Sequence, residues 1–236
     1  MKNSFLPIFL LLVLFSMNSC KKNVNPSPAE NSEQPFEMCV IKNILEIKSQ
    51  DLIEDTYVSG FNGGNQLSFG SERTLAVGSW RGVEDINGMF HDNITYLKFD
   101  YAQVPASVTI DSAFITLYVD TFRYNLTPKY IEYGHSIADV TKNIRVSNVT
   151  GDWSESTMNY FNQPASSIVN STTTRVTTDR FQTYKFNVTD IVKEQMISGN
   201  KGFKIEMINP SGHNWLLFAS SENAYPSLCP KITLFY

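Results

Sequence analysis

The chain has 236 residues, of which 42% are hydrophobic and 13% aromatic, and its formal net charge is -4. This length and apolar content suffice for one domain with an ordinary core. The mild acidity argues against nucleic acid as a partner, because nucleic-acid recognition favours a basic face. The sequence contains no repeat of fixed period. These bounds indicate one globular domain.

The first twenty residues have the pattern of an export signal. Lys2 precedes an apolar run over residues 5–15, and small and polar residues lead to Cys20. The run is too short to span a membrane, and this order is that of a secretory signal peptide. The ending at Cys20 resembles the lipobox of bacterial lipoproteins, which implies lipidation of Cys20 and an anchor in the bacterial cell envelope. Plain secretion is the alternative, and the choice between periplasmic and surface display stays open.

Residues 21–38 predict a flexible tether, because the stretch 23–34 is polar and almost free of apolar residues. One domain then spans residues 39–236. Its ends carry Cys39 and Cys229, and an oxidising compartment allows them to pair. Such a bridge would contribute about 4–5 kcal/mol in the chain-entropy picture. Two unpaired buried thiols are the alternative.

Hydrophobic patterning predicts a series of short strands with turns between them. The alternation is clearest in two strands, where Leu97 and Phe99 oppose Tyr96, and Ile115 and Leu117 oppose Phe114 and Tyr118. We expect strands at residues 39–48 (or a short helix there), 55–58, 74–78, 94–100, 110–119, 130–137, 143–149, 181–188, 203–208, 215–219 and 231–235, with a long loop over 79–93. One helix is expected over 188–198, capped by Asn187 and ended by Gly199. This content predicts an all-β protein, a β-sandwich or jelly roll with one short α-helix.

Several segments match a known family in order. They are DTYV at 55–58, LAVG at 75–78, YLKFD at 96–100, IDSA at 110–113, WSEST at 153–157, NQP at 162–164, FNVTDIV at 186–192 and FASSE at 218–222. Over about residues 51–236 the chain resembles the DNRLRE-domain family, which overlaps carbohydrate-binding module family 96. The resemblance implies a jelly-roll β-sandwich of exported bacterial proteins, often attached to polysaccharide-degrading enzymes. Some members bind acidic polysaccharide such as alginate. Relatives usually have Trp at the position of Tyr160 and often Arg at that of Ser221.

Residues 151–164 form an aromatic-rich loop that includes Trp153, Tyr160 and Pro164. In the family that it resembles, this segment recurs whatever module accompanies the domain. We therefore expect a structural loop, with Trp153 and Tyr160 packed on the sandwich, rather than a ligand stack.

Sugar recognition needs an aromatic ring against the apolar face of a pyranose, with polar groups around its hydroxyls. An acidic sugar adds Lys or Arg. The residues that fit best are Trp80, Arg81, Tyr96, Lys98 and Tyr118. The alternative is that the aromatic face of the second clear strand is covered by a loop.

Little in the sequence indicates catalysis. His91, His135 and His213 lack the spacing of metal ligands and are most simply surface or loop residues. No serine lies in the strand-turn-helix context of a nucleophile elbow. We expect no catalytic residue and no cofactor except a structural calcium ion, for which Asp55 and Glu222 are weak candidates.

The leading hypothesis is a non-catalytic, lipid-anchored envelope protein that binds polysaccharide, with an acidic glycan such as alginate as a candidate. The alternative is a structural or adhesive surface protein whose jelly roll contacts other proteins. A small polysaccharide lyase or hydrolase is a distant third.

Overall fold

The computed structural model describes residues 43–61, 64–80, 91–120, 124–127, 130–132 and 134–236, with backbone alone over 124–132. These residues form antiparallel strands, one α-helix and two short 3₁₀ turns at Gln50–Leu52 and Pro226–Leu228. The elements are β1 (Ile44–Ile47), β2 (Ile53–Ser59), β3 (Thr74–Trp80), β4 (His91–Phe99), β5 (Ser112–Leu117), β6 (Tyr124–Thr127), β7 (Tyr130–Glu132), β8 (Ser136–Ile137), β9 (Asn143–Val149), β10 (Ser166–Arg175), β11 (Tyr184–Asn187), α1 (Thr189–Ser198), β12 (Phe203–Met207), β13 (Asn214–Ala219) and β14 (Lys231–Phe235).

The strands form two main sheets. The small sheet has the order β1-β14-β5-β11, so that strands from the two ends of the described chain pair with each other. The large sheet has the order β10-β9-β12-β4-β3-β13-β8. Strand β2 also pairs with β4 but lies outside this order. Strands β6 and β7 form a separate pair. This arrangement confirms the predicted all-β sandwich with one short helix.

The main core lies between the inner faces of the sheets. In β5 the buried Ala113, Ile115 and Leu117 belong to this core, whereas Phe114 is half-buried and belongs to the opposite face. The large sheet contributes buried side chains from each of its central strands, among them Leu97, Phe99, Ile144, Val146, Phe203, Ile205, Leu216 and Phe218. The period-two alternation of the sequence thus corresponds to one buried and one outward face.

Helix α1 closes one side of the core. Its buried Ile191 and Val192 join the core cluster, and the Asn187 side chain accepts hydrogen bonds from the Thr189 backbone N–H and hydroxyl at 3.1 and 2.6 Å. The chain leaves the helix at Gly199, whose φ is 95°. The predicted termination at Gly199 is confirmed, whereas the helix begins one residue later than predicted, with Val188 at its N-cap and no side-chain capping bond from that residue.

Strand β10 has no counterpart among the strands expected from the sequence. Its Ser- and Thr-rich stretch is mostly exposed, and its register with β9 shifts between Ser167 and Thr172. Asn170, inside that irregularity, has φ of 61°. The strand lies at the edge of its sheet with a bulge and little buried surface, so it lacks the apolar alternation on which sequence prediction depends.

Residues 151–164, which we call the plug loop, pack on the outer face of the large sheet. A second apolar cluster, separate from the main core, joins the loop to β2, β4 and β9. Its buried members are Val58, Tyr96, Val149 and Met158, with Ile94, Trp153 and Tyr160 against them. The outer face of β4 is therefore covered here, although its pattern suggested an open surface.

Two glycines allow close approach to the plug loop. A Cβ at Gly70 would lie 2.5 Å from the Glu155 carbonyl oxygen, and one at Gly60 would lie 3.2 Å from the Tyr160 ring. The Tyr160 N–H donates to the Asn65 carbonyl at 3.1 Å. Side chains at these two positions would push the loop away from the sheet.

Some expectations fall on residues outside the described ranges. These are the signal peptide 1–20 with Cys20, the tether 21–38, Cys39 and Arg81. Cys229 is buried, and its thiol lies 3.5 Å from the Ser221 carbonyl oxygen; its pairing with Cys39 stays a prediction. Among the helices of the described chain, none has the length and apolar character needed to cross a membrane.

Replacement of Trp153 by Ala should lower the free energy of unfolding by about 3 kcal/mol or more, as large-to-small changes in a packed site do. The Trp153 ring lies 6.0 Å from that of Tyr96, and its Nε1–H donates to the Lys201 carbonyl at 2.7 Å. Urea denaturation measures the loss. Trp153→Phe is the control, because it keeps most of the packing and should lose only about 1 kcal/mol with the hydrogen bond. An unchanged stability in Trp153→Ala would contradict the structural role.

Candidate functional site

The outward side chains of the small sheet form a surface that combines aromatic rings, hydroxyls and amines. We call it the small-sheet face; it consists of Phe114, Thr116, Tyr118, Lys185, Lys231, Thr233 and Phe235. The pairing of β5 with β11 and β14 sets its layout, since Thr116 lies opposite Lys185 on one side and Lys231 on the other. Phe114 lies opposite Thr233 in the same register. The alternation of the strands thus places a ring and two amines on one flat face.

The rings and amines of this face contact one another. The Lys185 Nζ lies 4.3 Å from the centre of the Phe114 ring, within cation–π range. Phe114 and Phe235 meet edge to face with centroids 6.1 Å apart. These contacts hold the rings half-buried, with part of their surface available to a ligand.

One carboxylate borders the face. The Lys231 Nζ lies 2.9 Å from the Glu46 Oε1. This hydrogen bond raises the pKa of Lys231 and lowers that of Glu46, so both groups stay charged at neutral pH. Lys48 adds a further positive charge near Glu46. Lys185, Lys231 and Lys48 thus bring three amines to this part of a chain whose net charge is -4.

The chemistry of this surface is that of capture rather than of reaction. An aromatic ring can cover the apolar face of a sugar, and hydroxyls and amines can bind its polar groups. A cleft lined by Gly78, Asp92 and Glu206 encloses about 70 Å³, whereas small-molecule pockets commonly exceed about 300 Å³. An open face is thus a better candidate site than this cleft.

The comparison with protein families agrees with this geometry. The model of carbohydrate-binding module family 96 matches residues 46–233, a range that contains almost all of both sheets. The chain belongs to carbohydrate-binding module family 96. No curated protein matches the sequence significantly. Membership supports carbohydrate binding by a non-catalytic module, with polysaccharide as the partner.

The structure distributes the sequence-predicted binding residues over three regions of this family 96 module. Tyr118 belongs to the small-sheet face. Trp80 lies in an aromatic cluster with Trp215, at 5.4 Å between ring centres, and Phe61, at 6.3 Å. The other two described candidates, Tyr96 and Lys98, belong to the outer face of the large sheet.

Tyr96 is unsuited to sugar stacking, because its side chain is 0% exposed beneath the plug loop. Its hydroxyl donates to the Gln163 Oε1 at 2.9 Å. Lys98 is half-buried and pairs with Glu54 at 2.7 Å. The sequence placed both residues on an outward face correctly, but it did not show that the plug loop covers Tyr96.

Six members of the small-sheet face were absent from the sequence-predicted set: Phe114, Thr116, Lys185, Lys231, Thr233 and Phe235. Residues 231–235 alternate in the sequence between outward Lys231, Thr233 and Phe235 and inward apolar residues. That alternation was a usable signal. The alternation does not show which strands lie next to each other. Strand β14 pairs with β5 although the two segments are more than a hundred residues apart in the sequence.

The described residues contain no cluster of three or more His, Cys, Asp or Glu side chains suited to a metal ion. His135 is buried in the core, contrary to the expectation of a surface histidine. Its Nε2 lies 2.9 Å from the Gln182 carbonyl and its Nδ1 accepts the Leu217 N–H at 3.1 Å, so it serves as a neutral structural group. Burial lowers the pKa of His135 to about 4.

Replacement of Tyr96 by Phe should lower the free energy of unfolding by about 1 kcal/mol, because the Gln163 amide oxygen loses its donor. Carbohydrate affinity should stay unchanged, since the ring is covered. Thermal unfolding and affinity electrophoresis measure the two quantities. A lost affinity in a variant of nearly unchanged stability would return Tyr96 to the binding site.

Proposed function

We propose that this family 96 module binds acidic polysaccharide through its small-sheet face. The observation that supports the proposal most is the Lys185 amine above the Phe114 ring, with Lys231 on the opposite side of β5. A pyranose that stacks on Phe114 would place its carboxylate within reach of these amines. Charge-assisted hydrogen bonds of this kind are stronger than neutral ones.

The layout of the face suits a chain of uronate units such as alginate. Neighbouring strands lie about 4.8 Å apart, so Lys185 and Lys231, each one strand from Thr116, are separated by about 10 Å across the sheet. A polyuronate carries a carboxylate on every unit and could engage both amines at once. A neutral glycan would gain no charge-assisted hydrogen bond from them.

Phe114→Ala should weaken binding to alginate by about tenfold, because a stacking ring contributes roughly 0.5–1.5 kcal/mol. Lys185→Ala should also weaken binding to alginate. This loss of affinity should be larger at low salt than at high salt, because salt screens exposed charges. Affinity electrophoresis in gels with alginate, polygalacturonate or a neutral glucan measures both effects.

Matched controls come from other exposed surfaces of the same chain. Phe161, which is 68% exposed on the plug loop, and Lys193, which is exposed on α1, should tolerate replacement by Ala with unchanged affinity. Equal losses in the control and test variants would contradict the proposed location. Absence of retardation by any glycan would contradict carbohydrate binding by this chain.

Absence of retardation by any glycan would favour the alternative of a structural or adhesive protein. Ile168 and Val169 are 62% and 65% exposed on the edge strand β10. An edge strand with exposed apolar side chains is a surface to which another protein chain can pair.

We also propose that Cys20 carries a lipid anchor that holds the module at the bacterial cell envelope. The support is the sequence alone, in which a short apolar segment ends at Ser19-Cys20 before a polar stretch. Cys20→Ser should move the protein from the detergent-soluble membrane fraction to the soluble fraction, as cell fractionation and immunoblotting would detect. An unchanged distribution would favour plain secretion.

A further inference from the structure

Two carboxylates meet where β2 lies next to the segment that follows β13. Asp55 of β2 is 1% exposed, and its Oδ2 accepts the Ser221 N–H at 2.8 Å. Glu222 follows β13 in the chain, and its Oε1 accepts the Ser221 hydroxyl at 2.9 Å. The Asp55 and Glu222 side chains lie within hydrogen-bonding reach of each other.

Each carboxylate has one oxygen without a partner. The buried Asp55 Oδ1 and Glu222 Oε2 have no hydrogen-bond donor, and neither residue forms an ion pair with a described cationic side chain. A buried carboxylate next to a half-buried one is unfavourable when both are charged, unless a proton or a cation neutralises the pair.

The neighbourhood adds further negative charge. The Glu155 Oε2 of the plug loop accepts the Asp55 N–H at 3.0 Å. Burial and the charge of Glu222 raise the pKa of Glu155, and burial with the charges of Asp55 and Glu222 raises that of the Cys229 thiol. The surroundings therefore favour the entry of a positive charge.

We propose that Asp55 and Glu222 hold a divalent cation of the calcium class through their unpartnered oxygens. Calcium takes several oxygen ligands and accepts carboxylates together with carbonyls and water. The described residues contain no group of three or more His, Cys, Asp or Glu side chains suited to a metal ion, so this site would rely on two carboxylates together with carbonyl and water ligands. The ion would join β2 to the segment after β13, beside the plug loop, and its role would be structural.

Calcium titration of the EDTA-treated full chain tests the proposal. Isothermal calorimetry should show one site, with Kd of about 0.1–1 mM as in extracellular calcium modules. Calcium at ten times Kd should raise the melting temperature by about 3–6 °C over the EDTA-treated protein. Absence of both heat and thermal shift would overturn the proposal.

Variants locate the ion. Asp55→Asn and Glu222→Gln should each abolish the thermal shift and weaken calcium binding more than tenfold. Asp51→Asn, which changes an exposed carboxylate next to β2, is the control and should keep the full response. If Asp55→Asn fails to fold, the less buried Glu222→Gln decides the result. A full calcium response in Glu222→Gln would overturn the assignment.

Discussion

The contact between the plug loop and β4 decides which surface of the sandwich stays open. Tyr96 is completely buried although it lies on the outer face of its strand, because Trp153 packs against its ring and Gln163 accepts its hydroxyl proton. A tyrosine in this position satisfies both requirements of a buried aromatic residue, apolar contact and a hydrogen-bond partner. Without the loop, the large sheet would expose a continuous apolar patch. The loop therefore removes the Tyr96 ring from the surface that a ligand can reach.

The plug loop also completes the hydrogen bonding of β2. This strand pairs with β4 along one edge, and on its other side the Asp55 N–H donates to the Glu155 carboxylate. A side-chain oxygen thus replaces a strand partner and protects the edge from pairing with another chain. The cost is a third carboxylate beside Asp55 and Glu222. The same loop that seals the sheet therefore contributes to the local excess of negative charge, which connects the stability of the fold to the proposed cation.

Fold class followed from the sequence because its signals are local. The alternation around Ile115 and the glycine after the helix each depend on residues a few positions apart. Strand β10 was missed because an exposed, bulged edge strand needs no apolar alternation. The binding surface was predicted only at Tyr118, since its other members reach one face through the pairing of β14 and β11 with β5. Tyr96 was wrongly included in the predicted binding surface, because alternation identifies an outward side chain but does not show what covers it.

Ser221 connects the departures of this chain from its relatives with the buried carboxylate pair. The family resemblance implies Arg at this position in many relatives, where a guanidinium next to Asp55 and Glu222 would neutralise them. In this chain the Ser221 N–H and hydroxyl each donate to one of these carboxylates but supply no charge. Hydrogen bonds stabilise a carboxylate, yet the negative charges of Asp55 and Glu222 still repel each other at short range. With serine at this position, a proton or a bound ion has to balance the pair, independently of any glycan on the small-sheet face.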